Sequence, residues 1–320
     1  MVQPLQIVVI ADDLTGAADS GVQFCPVVGP VHLTGAVYEG VAPFTAMSGG
    51  LAVYTNSRHL EPRDAADKVQ RVAKTILHIG PKIIYKKIDS CLRGNLGAEL
   101  DALLDETSAT ASFVAPSFPG QGRTTENDIH LVGGIPVAET EIGSDPLCPV
   151  RESRLSKLLS SQSRMLVGHV DIHCLDQGLD AMAARVRTLL AEGCRHLVFD
   201  GSHPSHLDAI TTLERTCFEH EKIVLTGSAG LAGSLASYMM QQRAAAVTFE
   251  RPQIDKWLFC CGSVSQVMGK QVVNLVRHTQ WLHLELEPSQ LVTNACQAVQ
   301  PTLENLMQTM PEEEGVILSI

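Results

Sequence analysis

No stretch of this 320-residue chain is apolar for anything near the ~18 residues that span a bilayer, which excludes a membrane-crossing helix of the usual kind. Basic residues form no run, and 24 of them against 35 acidic residues leave a formal charge of −11. Such a chain repels phosphate backbones, so nucleic-acid binding is not expected. There is no CxxC spacing, and the nine cysteines are odd in number. The neighbours Cys260 and Cys261 are ill placed to bridge, because adjacent strand side chains point to opposite faces. Reduced thiols and a cytoplasmic location are the expectation. The N-terminus lacks the basic start of a signal peptide, and its apolar run stops on Asp12-Asp13. Repeats and low-complexity tracts are absent too. With 45% apolar and 18% charged residues, disorder is excluded.

What is present is alternation. Short β-branched runs at Leu5–Ala11, Leu51–Thr55, Lys82–Tyr85, Ser112–Ala115, Met165–Val170, His196–Phe199, Lys222–Leu225, Trp257–Cys261, Trp281–Leu286 and Val316–Ile320 predict strands. Helical periods separate them at Thr15–Phe24, Pro62–His78, Leu96–Leu104, Leu179–Ala191, Pro204–Phe218, Ala229–Gln242, Gln266–Arg277 and Ser289–Met310. This pattern predicts an α/β protein of two domains, each a mainly parallel sheet flanked by helices. A bland stretch from Gln241 to Pro252 marks the linker, giving domains 1–245 and 252–320. The segment Pro116–Pro149, rich in Gly, Pro and Thr, lacks periodicity and is expected to be a long loop, functional or disordered. The strand at Val316–Ile320 reads as the middle of a sheet, yet at the chain's end it is expected to expose an edge to water.

Ligands of open α/β sheets bind where strands end and helices begin. The first such junction, Ile10-Ala11-Asp12-Asp13-Leu14-Thr15-Gly16, carries two carboxylates. One is enough to cap the helix, which leaves the other for a ligand hydroxyl or a cation. The second, Tyr85-Lys86-Lys87-Ile88-Asp89-Ser90-Cys91-Leu92-Arg93-Gly94-Asn95, holds three cations and a carboxylate. Lys86 and Lys87 alternate faces, so at least one points away from bulk water in a covered sheet. Asp89 is placed either to pair with that inward lysine or to work on a substrate. The third, Phe118-Pro119-Gly120-Gln121-Gly122-Arg123, offers a planar guanidinium to a carboxylate or phosphate, or is a plain surface loop.

Two strand–Gly-Ser–helix turns are candidate phosphate cradles: Thr226-Gly227-Ser228-Ala229-Gly230 and Cys261-Gly262-Ser263-Val264-Ser265. Neither is a GxxxxGK[ST] loop or matches GxGxxG, and glycines at such turns often serve only packing. The pairs His203/His206 and His169/His173 fall short of the three or four converging ligands that zinc requires.

Taken in order, these segments resemble the four-carbon acid sugar kinase family, which includes threonate, erythronate and 3-oxo-tetronate 4-kinases. The resemblance runs from residue 7 to about residue 275 and rests on six ordered matches. It implies an acid-sugar domain followed by a nucleotide domain, with ATP and Mg²⁺ as cofactors, a small sugar acid as partner, and no nucleic acid or membrane. A homodimer stays open. The substrate positions it implies are Asp12, Arg58 and Lys86, Lys87, Ile88 and Asp89; Asp13, Arg93 and Arg123 join them on their chemistry. Gly262, Ser263 and Ser265 correspond to the ATP contact. Asp12 and then Asp89 are the candidates for the base that takes the proton of the attacking hydroxyl. Family members are longer and carry a further glycine-rich ATP segment, so the resemblance also implies an incomplete nucleotide domain: either the chain is a truncated product or fragment, or its ATP binding is impaired. Two other functions remain in view: a sugar-acid binder without catalysis, and a phosphatase of the haloacid dehalogenase type. The latter needs Asp-x-Asp-x-Thr, whereas Asp12 and Asp13 are adjacent.

Overall fold

The computed structural model describes residues 5–35, 49–242, 255–262, 266–287, 299–302, 304–308 and 314–319. Its contacts divide the chain into two units, Met1–Phe249 and Glu250–Ile320. The first unit is built on eight parallel strands: β1 (Ile7–Ala11), β2 (Val31–Gly35), β3 (Gly50–Tyr54), β4 (Ile83–Lys87), β5 (Ala111–Ala115), β9 (Leu166–Val170), β10 (Cys194–Phe199) and β11 (Ile223–Gly227). Their order in the sheet is β2-β3-β1-β4-β11-β5-β10-β9. Strand β1 is buried along its whole length and shows why both faces must be covered. Ile7, Val9 and Ala11 join one apolar cluster, while Val8 and Ile10 join the other.

Helices α1 (Leu14–Val28), α6 (Leu179–Ala191), α7 (Pro204–Cys217) and α8 (Ala229–Gln241) supply the first cluster through residues such as Phe24, Val186, Ile210 and Leu231. Helices α2 (Pro62–Ile79), α3 (Leu96–Thr107) and α4 (Leu155–Gln162) supply the second through Val69, Ile76, Leu100 and Leu159. Since α1 and α2 leave neighbouring strands toward opposite faces, a crevice opens at the C-terminal edge of β1. A short α5 (Ile172–Asp176) follows β9.

The segment expected to be a loop is instead a small antiparallel sheet of β6 (Arg123–Glu126), β7 (Ile129–Val132) and β8 (Ile135–Pro136). Two-residue turns join its strands. Asn127 and Asp128 both have positive φ, as do Gly133 and Gly134, which is what type I′ hairpins require. The Gly-Gly pair between two apolar pairs was the readable signal; the polar Thr-rich strand β6 hid it.

In the second unit β12 (Trp257–Cys261), β13 (Leu282–Glu285) and β14 (Gly315–Ser319) form a parallel sheet of order β12-β14-β13, accompanied by α9 (Gln266–Thr279). The terminal strand is therefore central, and its edges are paired on both sides. Val316 and Ile317 are fully buried, so the exposed edge expected there does not exist. Ile320 and most of the expected Ser289–Met310 helix lie outside the described residues; within that stretch, residues 299–302 and 304–308 are helical.

Candidate active site

Strands β3, β1 and β4 are neighbours, so the segments that follow them meet at one place. Asp13 caps α1: it is extended at φ −136° and its Oδ1 accepts the Gly16 N–H at 2.8 Å. That leaves Asp12 for other work, as the tandem predicts. Asp12 is 3% exposed, and its Oδ2 accepts from Arg58 Nε at 2.6 Å. Among the described residues its Oδ1 is buried with no hydrogen-bond partner. A buried carboxylate oxygen left bare costs free energy unless something else donates to it.

Arg58 is the hub of the cluster. Besides Asp12 it reaches Asp13 Oδ2 at 2.9 Å and Asp89 Oδ1 at 3.9 Å. Burial works against its charge, but the Asp12 hydrogen bond and the charges of Asp12, Asp89 and Asp13 outweigh that and raise its pKa. Asp89 is held in turn by Arg93, whose Nε lies 2.7 Å and backbone N 3.2 Å from Oδ2. Burial pushes Asp89 up, yet the Arg93 hydrogen bond and the charges of Arg58, Arg93 and Lys87 bring it below the usual carboxylate range. It is an ionised anchor whose oxygens are already engaged. The turn from Asp89 to Gly94 is tight: Leu92 has φ +65°, and Gly94 at φ +102° brings its backbone close to Asp12 and Arg58.

The two lysines separate as alternating strand residues should, although both are buried. Lys86 is 0% exposed and its Nζ lies 2.7 Å from Glu99 Oε2. Glu99, not Asp89, is thus the partner of the inward lysine. Glu99 Oε1 accepts from Ser57 Oγ at 2.6 Å, and Ser57 Oγ lies 2.6 Å from Thr55 Oγ1, so a buried polar ladder backs the Asp12–Arg58 pair. Lys87 is 4% exposed and comes up against Gly16 of α1. Among the described residues its ammonium has no hydrogen bond or ion pair, whereas Arg58 and Arg93 already carry carboxylates. Ile88, also expected at the ligand, buries its side chain in the core, and its N–H anchors the turn on Gly227 O at 2.9 Å.

Arg123 on β6 leans on Cys91, and its Nε is buried without a partner among the described residues. The same hairpin contributes His130, which no sequence motif marks. His130 is fully buried between Thr125 Oγ1 at 2.9 Å and Ser90 O at 2.8 Å. Burial pushes its pKa down to about 4, so the ring is neutral. A cavity of about 320 Å³ opens beside the cluster, lined by Arg58, Leu92, Gly94, Asn95, Cys148 and Pro149. Burial raises the pKa of both Cys91 and Cys148, so neither is a thiolate nucleophile.

Other candidates resolve into structural roles. Ser228 caps α8, accepting from Gly230 N and donating to Ser117 O. A Cβ on Gly227 would meet Ala115 O at 2.3 Å, so the glycine is needed there for close packing. His203 caps α7, and His169 bonds Asp200. Of the expected ATP contacts, Gly262 ends β12 with open space around it, while Ser263 and Ser265 lie outside the described residues. A hollow of about 800 Å³ in the second unit is lined by α9 alone and is an open helix face.

Known proteins similar to this chain include curated kinases and solved structures. A D-threonate kinase of Salmonella typhimurium strain LT2 is 28% identical over 316 residues, covering 98% of this chain and 71% of the relative. A D-erythronate kinase of Heliobacterium modesticaldum is 32% identical over 210 residues, 64% of this chain but only 47% of the relative's length. Both relatives are thus longer than the part that this chain matches. A Bordetella bronchiseptica protein, solved as a domain-swapped dimer with bound citrate, superposes with TM-score 0.63 at 27% identity over 98% of this chain and 74% of that one. The profile of one family, the sugar-binding N-terminal domain, matches residues 7–235, most of the chain, and the chain belongs to that family.

Proposed function

We propose that this chain is a kinase that binds a four-carbon sugar acid at the C-terminal edge of β1 and transfers a phosphoryl group from ATP to its terminal hydroxyl. The observation that carries the reading is the pairing of two unmet demands in one crevice. Among the described residues Asp12 Oδ1 is a buried acceptor without a donor, and the buried Lys87, whose charge is felt by Asp89, makes no hydrogen bond or ion pair of its own. A sugar acid presents both a hydroxyl and a carboxylate, so it answers each. The kinase names of the aligned relatives support the same chemistry, and so does the citrate bound by the Bordetella neighbour.

In this reading Lys87 takes the carboxylate, with Arg123 Nε as a second donor. Asp12 Oδ1 accepts the hydrogen bond of the reacting hydroxyl and then its proton, while Arg58 keeps Asp12 oriented through the other oxygen. Asp89 serves as the anchor of Arg58 and Arg93 and leaves the base to Asp12. ATP supplies the phosphoryl group, with Mg²⁺ spreading its charge. The ion is assigned to the nucleotide's phosphates. Gly262, Ser263 and Ser265 remain the assigned nucleotide contacts. Threonate, erythronate and 3-oxo-tetronate all fit the two demands.

A coupled ADP-release assay over these acids tests the reading. Asp12→Asn is expected to lower turnover at least a hundredfold, in line with the loss of a general base of roughly 10²–10⁴, while ligand binding persists. Unchanged turnover would remove Asp12 from the role. Threonate binding by calorimetry without any turnover would favour the non-catalytic binder.

A further inference from the structure

The hairpin β6–β7 reaches the Asp89–Gly94 turn through a chain of hydrogen bonds whose polarity is settled by its ends. Ser90 O can only accept, so His130 Nε2 carries the proton and donates at 2.8 Å. With the ring neutral, Nδ1 accepts from Thr125 Oγ1 at 2.9 Å, and Thr125 Oγ1 in turn receives the Ser117 hydroxyl at 3.0 Å. All three side chains are buried at 1% exposure or less. The hairpin itself is held rigid. Asn127 and Asp128 donate their N–H groups to Asp200, and Thr125 exchanges backbone hydrogen bonds with Gly201. The turn it touches is strained: Leu92 and Gly94 both have positive φ. Leu92 N bonds Asp89 O at 3.0 Å, and Gly94 at the far end is tied to Cys148 Sγ and Gln162 Nε2, which leaves the Ser90 carbonyl to His130.

We propose that His130 is a positioning residue: its bond to the Ser90 carbonyl holds the turn that presents Asp89 and Arg93, and through Asp89 the hub Arg58, to the ligand. The inference rests on the functional reading above, and it assigns a task to a hairpin that touches none of the reacting atoms through His130. A rigid partner is needed because a turn carrying a non-glycine residue at positive φ relaxes when a tether is cut.

Two amides separate the role from mere packing. Glutamine carries its NH₂ at about the reach of Nε2 and preserves the Ser90 bond; asparagine reaches only as far as Nδ1 and loses it. His130→Asn is expected to raise KM for D-threonate or D-erythronate about tenfold, the factor set by one lost buried hydrogen bond, with KM for ATP unchanged. Hydrogen exchange at the Leu92 and Arg93 amides should quicken by a similar factor. His130→Gln should return both readouts to wild type. Equal effects of Asn and Gln, or unchanged exchange in His130→Asn, overturn the role of His130. A wild type that takes no four-carbon acid overturns the functional reading alone, since the exchange measurement needs no ligand. If His130→Asn does not fold, Thr125→Val, which frees the ring from its Nδ1 donor, should quicken the same amides; wild-type exchange there overturns the proposal.

Discussion

Lowering the pH from 6.5 to 4 is expected to cost the first unit about 3 kcal/mol through His130 alone. In the unfolded chain its imidazole takes up a proton as the pH falls through 6.5, whereas the buried ring stays neutral until about 4. Across that window the unfolded state binds more protons, so acid favours unfolding. The contribution is complete above pH 6.5, shrinks steadily as the pH falls, and is gone once the folded pKa is passed. The size follows from the width of the window, since each unit is worth about 1.4 kcal/mol. Other shifted groups act elsewhere. His169, whose pKa is raised because the Asp200 hydrogen bond and nearby carboxylates outweigh burial, contributes stability that is lost as the pH rises. Asp89 and Asp101 are lowered, so their contributions are lost only as the pH falls below the ordinary carboxylate range. All three cancel in a comparison of wild type with His130→Gln, which keeps the bond to Ser90 but cannot titrate. The assay is urea denaturation followed by far-UV circular dichroism at a series of pH values. Both tryptophans, Trp257 and Trp281, belong to Glu250–Ile320, so their fluorescence follows the second unit separately. The stability difference between wild type and variant should narrow by about 3 kcal/mol on acidification. Parallel curves would refute a neutral, buried His130.

The two lysines give a paired test. Lys87→Met is expected to weaken sugar-acid binding by roughly ten- to a hundredfold, with little change in melting temperature, because a charge-assisted hydrogen bond is lost. Lys86→Met should instead destabilise the fold by about 3–5 kcal/mol, since it strands the buried Glu99 carboxylate; calorimetry and thermal melts distinguish the two outcomes. Gly94→Ala places a Cβ at φ +102° and 3.4 Å from Asp12 Oδ2. A stability loss of at least about 1 kcal/mol in denaturant titrations is expected from the backbone alone.

Much of this architecture is legible without coordinates because it depends on period and on local chemistry. The all-apolar run at Ile7–Ala11 cannot sit in a sheet with a wet face, and the tandem Asp12-Asp13 divides into one cap and one free carboxylate for reasons of helix geometry alone. Tertiary structure decided which polar groups are already spent. Lys86 and Lys87 look equivalent in the chain, yet Glu99 on α3 lies across the core from one and not the other. Asp89 looks free along the chain, yet the fold brings both Arg93 and Arg58 to it. His130 carries no local signature, because its role comes from a hairpin that folds back some forty residues to reach Ser90. Strand period and helix caps are local properties, so the sequence alone specified them; hydrogen-bond partners distant along the chain are fixed only when sheet order brings them within 3 Å, and that order is a property of the whole fold.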